Sequence, residues 1–414
     1  MLDLRLIRSE PELVRAALAR RGADGPLADV IALDERRRAL LTEVEGLRAE
    51  QNQASEAIAA AKRAGEDASD AIERMRGVAA RVKAMQAELD EVEAALNEQM
   101  VLLPNLPAED APPQDTVLKE VGEAGRSGRD HLELAGPLID MERAAKVSGS
   151  RFAYLLGDLV FLELALVRFA LDRLAEEGFT PVVPPALVRE EAMFGTGFLP
   201  DTEQQIYTLA GDDLYLIGTS EVALASLHAG EILEHGGLPK RYAGFSPCFR
   251  REAGAAGKDT RGIFRVHQFD KVEMFVFCEP EAAREEHEWL LAIEEGILQA
   301  LELPYRVVNI AVNDLGASAA KKYDCEAWLP GQERFRELTS CSNTTDFQAR
   351  RLDIRYRPAE GGRPRHVATL NGTAAAVGRT IIALLENGQR EDGSVELPAP
   401  LVERGAPPRI GPAG

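Results

Sequence analysis

The chain has 414 residues, a formal net charge of -20, a hydrophobic fraction of 45% and four cysteines. That composition describes a globular protein of two or three domains with an ample core, and it argues against a disordered chain or a non-specific nucleic-acid binder, though not against a local basic groove. No apolar run is long enough to cross a membrane, MLDLRLIRSEPELV has no secretory pattern, and Cys248, Cys278, Cys325 and Cys341 form no CxxC pair, so we expect a cytoplasmic protein with reduced thiols, no membrane partner, no disulfide framework and no zinc.

Residues from about 28 to 100 are rich in Ala, Glu, Arg, Gln and Leu, with no proline between Pro26 and Pro104. Apolar side chains recur at 3-4 spacing through Leu33, Leu40, Val44, Leu47, Ala54, Ile58 and Ala61. After a polar turn containing Gly65 they resume through Val78, Val82, Met85, Leu89, Val92 and Leu96. These are heptad positions, and the pattern predicts two helices paired as an antiparallel coiled-coil hairpin. A helix of about 30 residues reaches roughly 45 Å. Around the expected tip lie Lys62, Arg63, Arg74, Arg76, Arg81 and Lys83 among several acids. Charge alone leaves open whether they form a solvated face or grip a phosphate backbone.

Residues 104–130 are rich in proline, glycine and acid and read as a linker, dividing an N-terminal domain (1–103) from a larger domain (131–414). Leu155 to Leu174 is apolar but interrupted by Asp158, Glu163, Arg168 and Asp172, which predicts a core helix. β-rich stretches follow at 212–218, 272–278, 305–312 and near 333–338, without regular βαβ alternation. That favours an α+β fold with a mostly antiparallel sheet. Neither a P-loop nor a dinucleotide-binding glycine fingerprint is present.

FRREAGAAGKDTRGIFRVHQFDKVE, residues 249–273, concentrates arginine around a glycine-rich loop between two strand-like segments. Arg250 and Glu252, two residues apart on a strand, share a face. Arginine binds a phosphate or carboxylate bidentately, glutamate accepts from an amino group, and an aromatic ring with a second arginine can sandwich a base. A surface hairpin with an ordinary Arg–Glu pair remains the alternative for this stretch alone. His267 reads as a packing or hydrogen-bonding histidine.

The same residues fit the second signature motif of class II aminoacyl-tRNA synthetases: aromatic-Arg-x-Glu, a loop, then Arg-x-x-x-Phe. GFTPVVPP at 178–185 resembles the first motif, and NGTAAAVGRT at 371–380, ending near Arg379, the third. With GTSE at 218–221, ELTSCSN at 337–343, FQARR at 347–351 and the hairpin, the chain resembles the bacterial-type seryl-tRNA synthetases over roughly residues 1 to 398. The tail after Pro398 departs from that pattern and receives no role.

The resemblance implies an antiparallel sheet of six to seven strands flanked by helices, and a homodimer. It implies an enzyme that activates L-serine with ATP and transfers it to tRNA(Ser), with tRNA(Sec) permitted as a second acceptor. It implies a serine site at Thr219, Ser220, Glu221, Arg250, Glu273 and Thr373. ATP is expected at Arg250, Arg251, Glu252, Arg265, Phe269, Glu337, Leu338, Thr339, Ser340 and Arg379, and Mg2+ at Glu337 and Ser340. Arg250, Glu337 and Arg379 are the expected catalytic groups, and the basic residues of the hairpin the tRNA contacts. Taken alone, Glu337 reads more often as a strand residue in a surface ion pair, and only the ELTS context gives it weight. Two other readings stay open: an adenylating paralogue serving a carrier protein, and an inactive RNA-binding scaffold. The long hairpin disfavours the first, and the intact site residues the second.

Overall fold

The structure, a computed structural model, describes residues 1–200, 205–253, 259 and 261–411. It divides into two units, Leu2–Pro104 and Asn105–Gly414, with Met1 counted in the second.

The first unit opens with two short helices, α1 (Leu4–Ser9) and α2 (Pro11–Arg20). Asp3 caps α1 by accepting from the Arg5 N–H at 2.8 Å, and Pro11 sits at the first position of α2, where its missing N–H costs nothing. The long helices follow as α3 (Leu27–Ala64) and α4 (Ser69–Leu102). Gly65 ends α3 in the left-handed region (φ 73°) that a side chain would strain. Every heptad position named above is buried or half-buried, with Leu40, Val44, Leu47, Ile58, Leu89 and Leu96 fully so. At the base of the hairpin Asp34, 2% exposed, receives Arg8 through two bonds of 2.6 Å and Arg38 at 3.1 Å. The Arg8 guanidinium holds the Asp34 carboxyl below the usual carboxylate range despite burial.

The second unit is built on eight strands: β1 (Thr116–Val121), β2 (Thr180–Val182), β3 (Lys240–Phe249), β4 (Gln268–Cys278), β5 (Tyr305–Asn309), β6 (Lys321–Leu329), β7 (Arg334–Asn343) and β8 (Ala368–Ala376). They lie in the order β1-β5-β6-β7-β8-β4-β3-β2. All neighbours are antiparallel except β2 and β3. The sheet is thus wider than the six to seven strands expected, and not wholly antiparallel. A parallel pair needs a long crossover, and the residues between β2 and β3 supply one, carrying their own three-stranded sheet (Leu187–Arg189, Tyr207–Leu209, Leu214–Leu216). The 212–218 stretch therefore belongs to this smaller sheet. The stretch expected as a linker is more than a connector: it supplies β1, an edge strand bulged at Leu118 against β5. Its proline-rich ends hid six residues of strand.

One face of the sheet packs against α5 (Asp158–Glu176), α7 (Ala283–Ala300) and α8 (Val377–Asn387), separated in sequence by the short α6 (Glu221–Ala225). Alternation along β4 assigns the faces: Val272, Met274 and Val276 join this helical core, whereas Lys271 and Glu273 alternate to the opposite side, and Phe269, at the start of the strand, both touches the core and lines the cleft. The tail after Pro398 packs too, since Leu401 is fully buried and Arg404 donates to Asp172 at 3.0 Å. All four cysteines are buried thiols.

Candidate active site

On the open side lies a cleft of about 630 Å³. It is lined by Arg250, Glu252, Phe264, Arg265, Phe269, Lys271, Glu337, Leu338, Ser340, Thr373 and Arg379. Its floor exists because two central ladders are irregular. In β8, Glu273 faces Thr373 but Val272 faces Ala375, leaving Ala374 as an extra residue. In β7, Cys325 faces Thr339 and Glu326 faces Glu337, leaving Leu338 extra. The β7–β8 ladder runs only from Cys341↔Gly372 to Asn343↔Leu370, so Glu337, Leu338 and Ser340 line the cleft where the two strands part.

Arg250 leaves the end of β3. Its Nε donates to the Gly218 carbonyl at 3.1 Å, and its guanidinium lies 5.3 Å from the Phe269 ring centroid. The His267 ring bonds the Arg250 carbonyl at 2.9 Å, a structural role matching its reading as a packing histidine. Arg265 pairs with Glu252 at 2.5 Å. Most of the glycine-rich loop, residues 254–258 and 260, lies outside the described residues.

On one flank, Glu273 accepts from the Thr219 hydroxyl at 3.2 Å and contacts the Lys271 ammonium. The Glu221 N–H donates to Thr219 Oγ1 at 3.2 Å, and its carboxylate accepts from Gln348 Nε2 at 2.8 Å and Asn371 Nδ2 at 3.0 Å. Burial, and then the nearby Glu273 charge, push the Glu221 carboxyl up to about 7. On the other flank, Arg379 donates to the Glu337 carboxylate at 3.2 Å and to its carbonyl at 3.0 Å. Partial desolvation opposes the Glu337 charge, but Lys322, Arg379 and Arg250 outweigh it and hold the carboxyl below its usual range. Asp324, opposite Ser340 in register and 2.7 Å from Lys322, is pushed by burial up to about 7.

Thr219, Glu221 and Glu273 are buried beside the cleft and are not among the residues that line it, and Ser220, Arg251 and Thr339 are not brought to it. The Ser220 hydroxyl is fully buried, 3.5 Å from the Gly244 carbonyl. Arg251 is exposed and bonds Gln205 through its main chain. The Thr339 hydroxyl turns inward to Glu294. Sequence reasoning missed Lys271, which the i, i+2 rule places beside Glu273. It also missed Phe264, whose ring lies 3.8 Å from the Arg336 guanidinium and 4.6 Å from that of Arg379. Lys62, Arg63, Arg74, Arg76, Arg81 and Lys83 are all exposed on the hairpin.

A magnesium ion fits the donor set at Glu337 and Ser340. The carboxylate is ionised, its side chain keeps 41% of its surface exposed, and Ser340 adds a hydroxyl on the same strand. Hard oxygen donors of this kind suit Mg2+.

Comparison with known proteins accords with this geometry. Residues 1–107 match the seryl-tRNA synthetase N-terminal domain, and residues 207–388 the class II tRNA synthetase core domain for G, H, P, S and T. The chain is 53% identical over 411 residues to the serine–tRNA ligase of Acidothermus cellulolyticus, covering 97% of each chain. It is 49% identical to that of Rubrobacter xylanophilus, covering 100% of both. Among solved structures it resembles seryl-tRNA synthetase from Pyrococcus horikoshii complexed with ATP (TM-score 0.95, 43% identity, 100% of both chains). It also resembles the cytoplasmic enzyme from Naegleria fowleri in complex with AMP (TM-score 0.89, 32% identity, 100% of this chain and 99% of that one). An arginine-lined cleft on an antiparallel floor, a separate helical hairpin and relatives matched end to end lead to one conclusion: the chain belongs to the serine–tRNA ligase family of class II aminoacyl-tRNA ligases.

Proposed function

We propose that the two flanks of the cleft divide the substrates between them, with Arg250 at the junction. L-Serine lies on the Thr219–Glu221–Glu273–Thr373 side. Glu273 and Thr373 bond its hydroxyl, Glu221 faces its ammonium group and Arg250 takes its carboxylate. A pocket that bonds a hydroxyl leaves its own groups unpaired when alanine enters, and such sites discriminate by roughly 10⁴–10⁵. Threonine is refused by lack of room for a methyl group. ATP lies on the other side, its adenine on Phe269, its amino group toward Glu252, and its outer phosphates toward Arg265 and Arg379. Mg2+ held through Glu337 and Ser340 supplies charge neutralisation at the phosphates.

The serine carboxylate oxygen forms a bond to the α-phosphorus as the bond to the β-phosphate bridging oxygen breaks and pyrophosphate departs. A terminal ribose hydroxyl of the tRNA then attacks the seryl carbonyl, giving the ester and AMP. No side chain acts as general base in the first step; positioning and opposite charge carry it. The observation that carries this reading is the position of Arg250, stacked near Phe269 and anchored on Gly218 at the mouth of both subsites. Its test is serine-dependent ATP–pyrophosphate exchange. Arg250→Ala lowers the rate about 10²–10³-fold while the protein stays folded, and unchanged exchange defeats the assignment.

The exposed cations of the hairpin serve the backbone of tRNA(Ser), read by shape; tRNA(Sec) is a second acceptor. The protein works in the cytoplasm, a reading supported by four buried free thiols. Among the described residues no helix is long and apolar enough to cross a membrane. A homodimer is supported by the apolar surface of α5, where Phe161 is 57% and Leu164 59% exposed.

A further inference from the structure

Helix α7 turns an apolar stripe toward the sheet: Ala283, Leu290, Leu291, Ile297 and Leu298 are all buried. Glu294 occupies this stripe, 0% exposed, where the spacing calls for a leucine. A carboxyl there must meet hydrogen-bond partners to be tolerated. It meets two, on different strands. Oε1 accepts from the Thr373 N–H of β8 at 3.0 Å, and Oε2 accepts from the Thr339 hydroxyl of β7 at 2.9 Å. The β7–β8 ladder has ended one residue earlier, at Cys341↔Gly372, and both strands are bulged immediately beyond, at Leu338 and Ala374. The carboxyl thus replaces the missing ladder rung where the strands diverge to form the cleft. Gly372 makes room for it: a Cβ there would stand 3.1 Å from Oε1.

We propose that Glu294 is a positioning residue that fixes the serine-binding strand to the nucleotide-binding strand from beneath the sheet, setting the distance between the Thr373 hydroxyl and the Glu337–Ser340 pair. This rests on the subsite assignment above. Neither bond reaches a substrate. One holds the Thr373 main chain and the other the Thr339 side chain, on strands whose neighbouring residues line the cleft, and in-line attack tolerates little drift between the two reactants. Burial holds the Glu294 carboxyl well above the usual carboxylate range, so a neutral amide is a close substitute.

The test is steady-state pyrophosphate exchange with the full-length protein, with kcat taken per folded molecule and KM measured for serine and for ATP. Glu294→Ala lowers kcat about 100-fold while either KM changes far less. Glu294→Gln recovers kcat to within about tenfold of the parent, and Thr339→Val, which removes one of the two bonds, lowers it about tenfold. A Glu294→Ala protein whose kcat per folded molecule stays within about threefold of the parent overturns the proposal. Should Glu294→Ala fail to fold, Thr339→Val decides, and unchanged kcat there overturns it equally. Thr373→Ala and Glu337→Ala run alongside. If both retain exchange, the subsite assignment itself fails; if both lose it while Glu294→Ala does not, only the role of Glu294 falls.

Discussion

Glu221→Gln isolates what an anion in the proposed serine pocket costs the fold. The carboxyl is 8% exposed and lies near Glu273, and its raised pKa of about 7 compares with an ordinary 4.5. A folded-state acid with a raised pKa binds protons more tightly than the unfolded chain does. Stability therefore falls as pH rises from 4.5 to about 7, and the full cost is present above that. A shift of this size corresponds to about 3 kcal/mol. The amide keeps an oxygen for Gln348 and Asn371, so the variant should unfold in urea with a stability gain approaching that figure at about pH 8, shrinking to well under half at about pH 5. A gain equal at both pH values, or a loss at the higher one, refutes the reasoning. The same substitution removes a charged acceptor for the substrate's ammonium group, so the serine KM rises about 10- to 100-fold. In the parent that KM falls as pH rises through about 7, because only the ionised carboxylate attracts the cation.

Three further outcomes follow from the architecture. Removing residues 46–84 and closing the stumps with a short turn spares Asp34 and its arginines; pyrophosphate exchange should persist while transfer of serine to tRNA is lost, and equal loss of both would count against a separate role for the hairpin. Asp34→Ala should destabilise the N-terminal unit by about 2 kcal/mol in chemical denaturation near neutral pH. Because the Asp34 carboxyl is held below its usual range, this contribution exists above about pH 4 and disappears as pH falls through the folded-state value, so parent and variant should converge in acid. Leu164→Asp, on the exposed apolar side of α5, should convert the proposed homodimer to a monomer by sedimentation velocity; an unchanged mass would count against this surface as its interface.

The hairpin was legible because two long helices have few ways to hide a heptad stripe, and the α+β class because the strands come without a regular βαβ rhythm. The cleft was legible where chemistry is local: Arg250, Glu252 and Arg265 lie in the connection between β3 and β4 and Phe269 at the start of β4, although the strand expected to carry Arg250 and Glu252 on one face does not form, since β3 ends at Phe249 and Glu252 takes a left-handed φ of 51°. Beyond that, tertiary context decides. A strand six residues long inside proline-rich sequence carries no period strong enough to announce itself, and β1 pairs only because β5 offers it an edge. Thr339 and Ser340 are adjacent in sequence, yet pleating sends one hydroxyl into the core and the other to the cleft, and the bulge at Leu338 resets which. Ser220 stands in the turn before α6, where its hydroxyl points to the Gly244 carbonyl of β3. Glu294 left a signal, a carboxylate on an apolar stripe, but charge on an amphipathic helix is ordinarily solvated and its partners lie 45 and 79 residues away.

The outer strand β1 has one more effect. It is short and bulged at Leu118, and a short, bulged edge is a poor template for the amide and carbonyl groups of another chain. At that rim, stray polymerisation at high concentration in a crowded cell is discouraged by six residues that follow soon after the N-terminal unit ends.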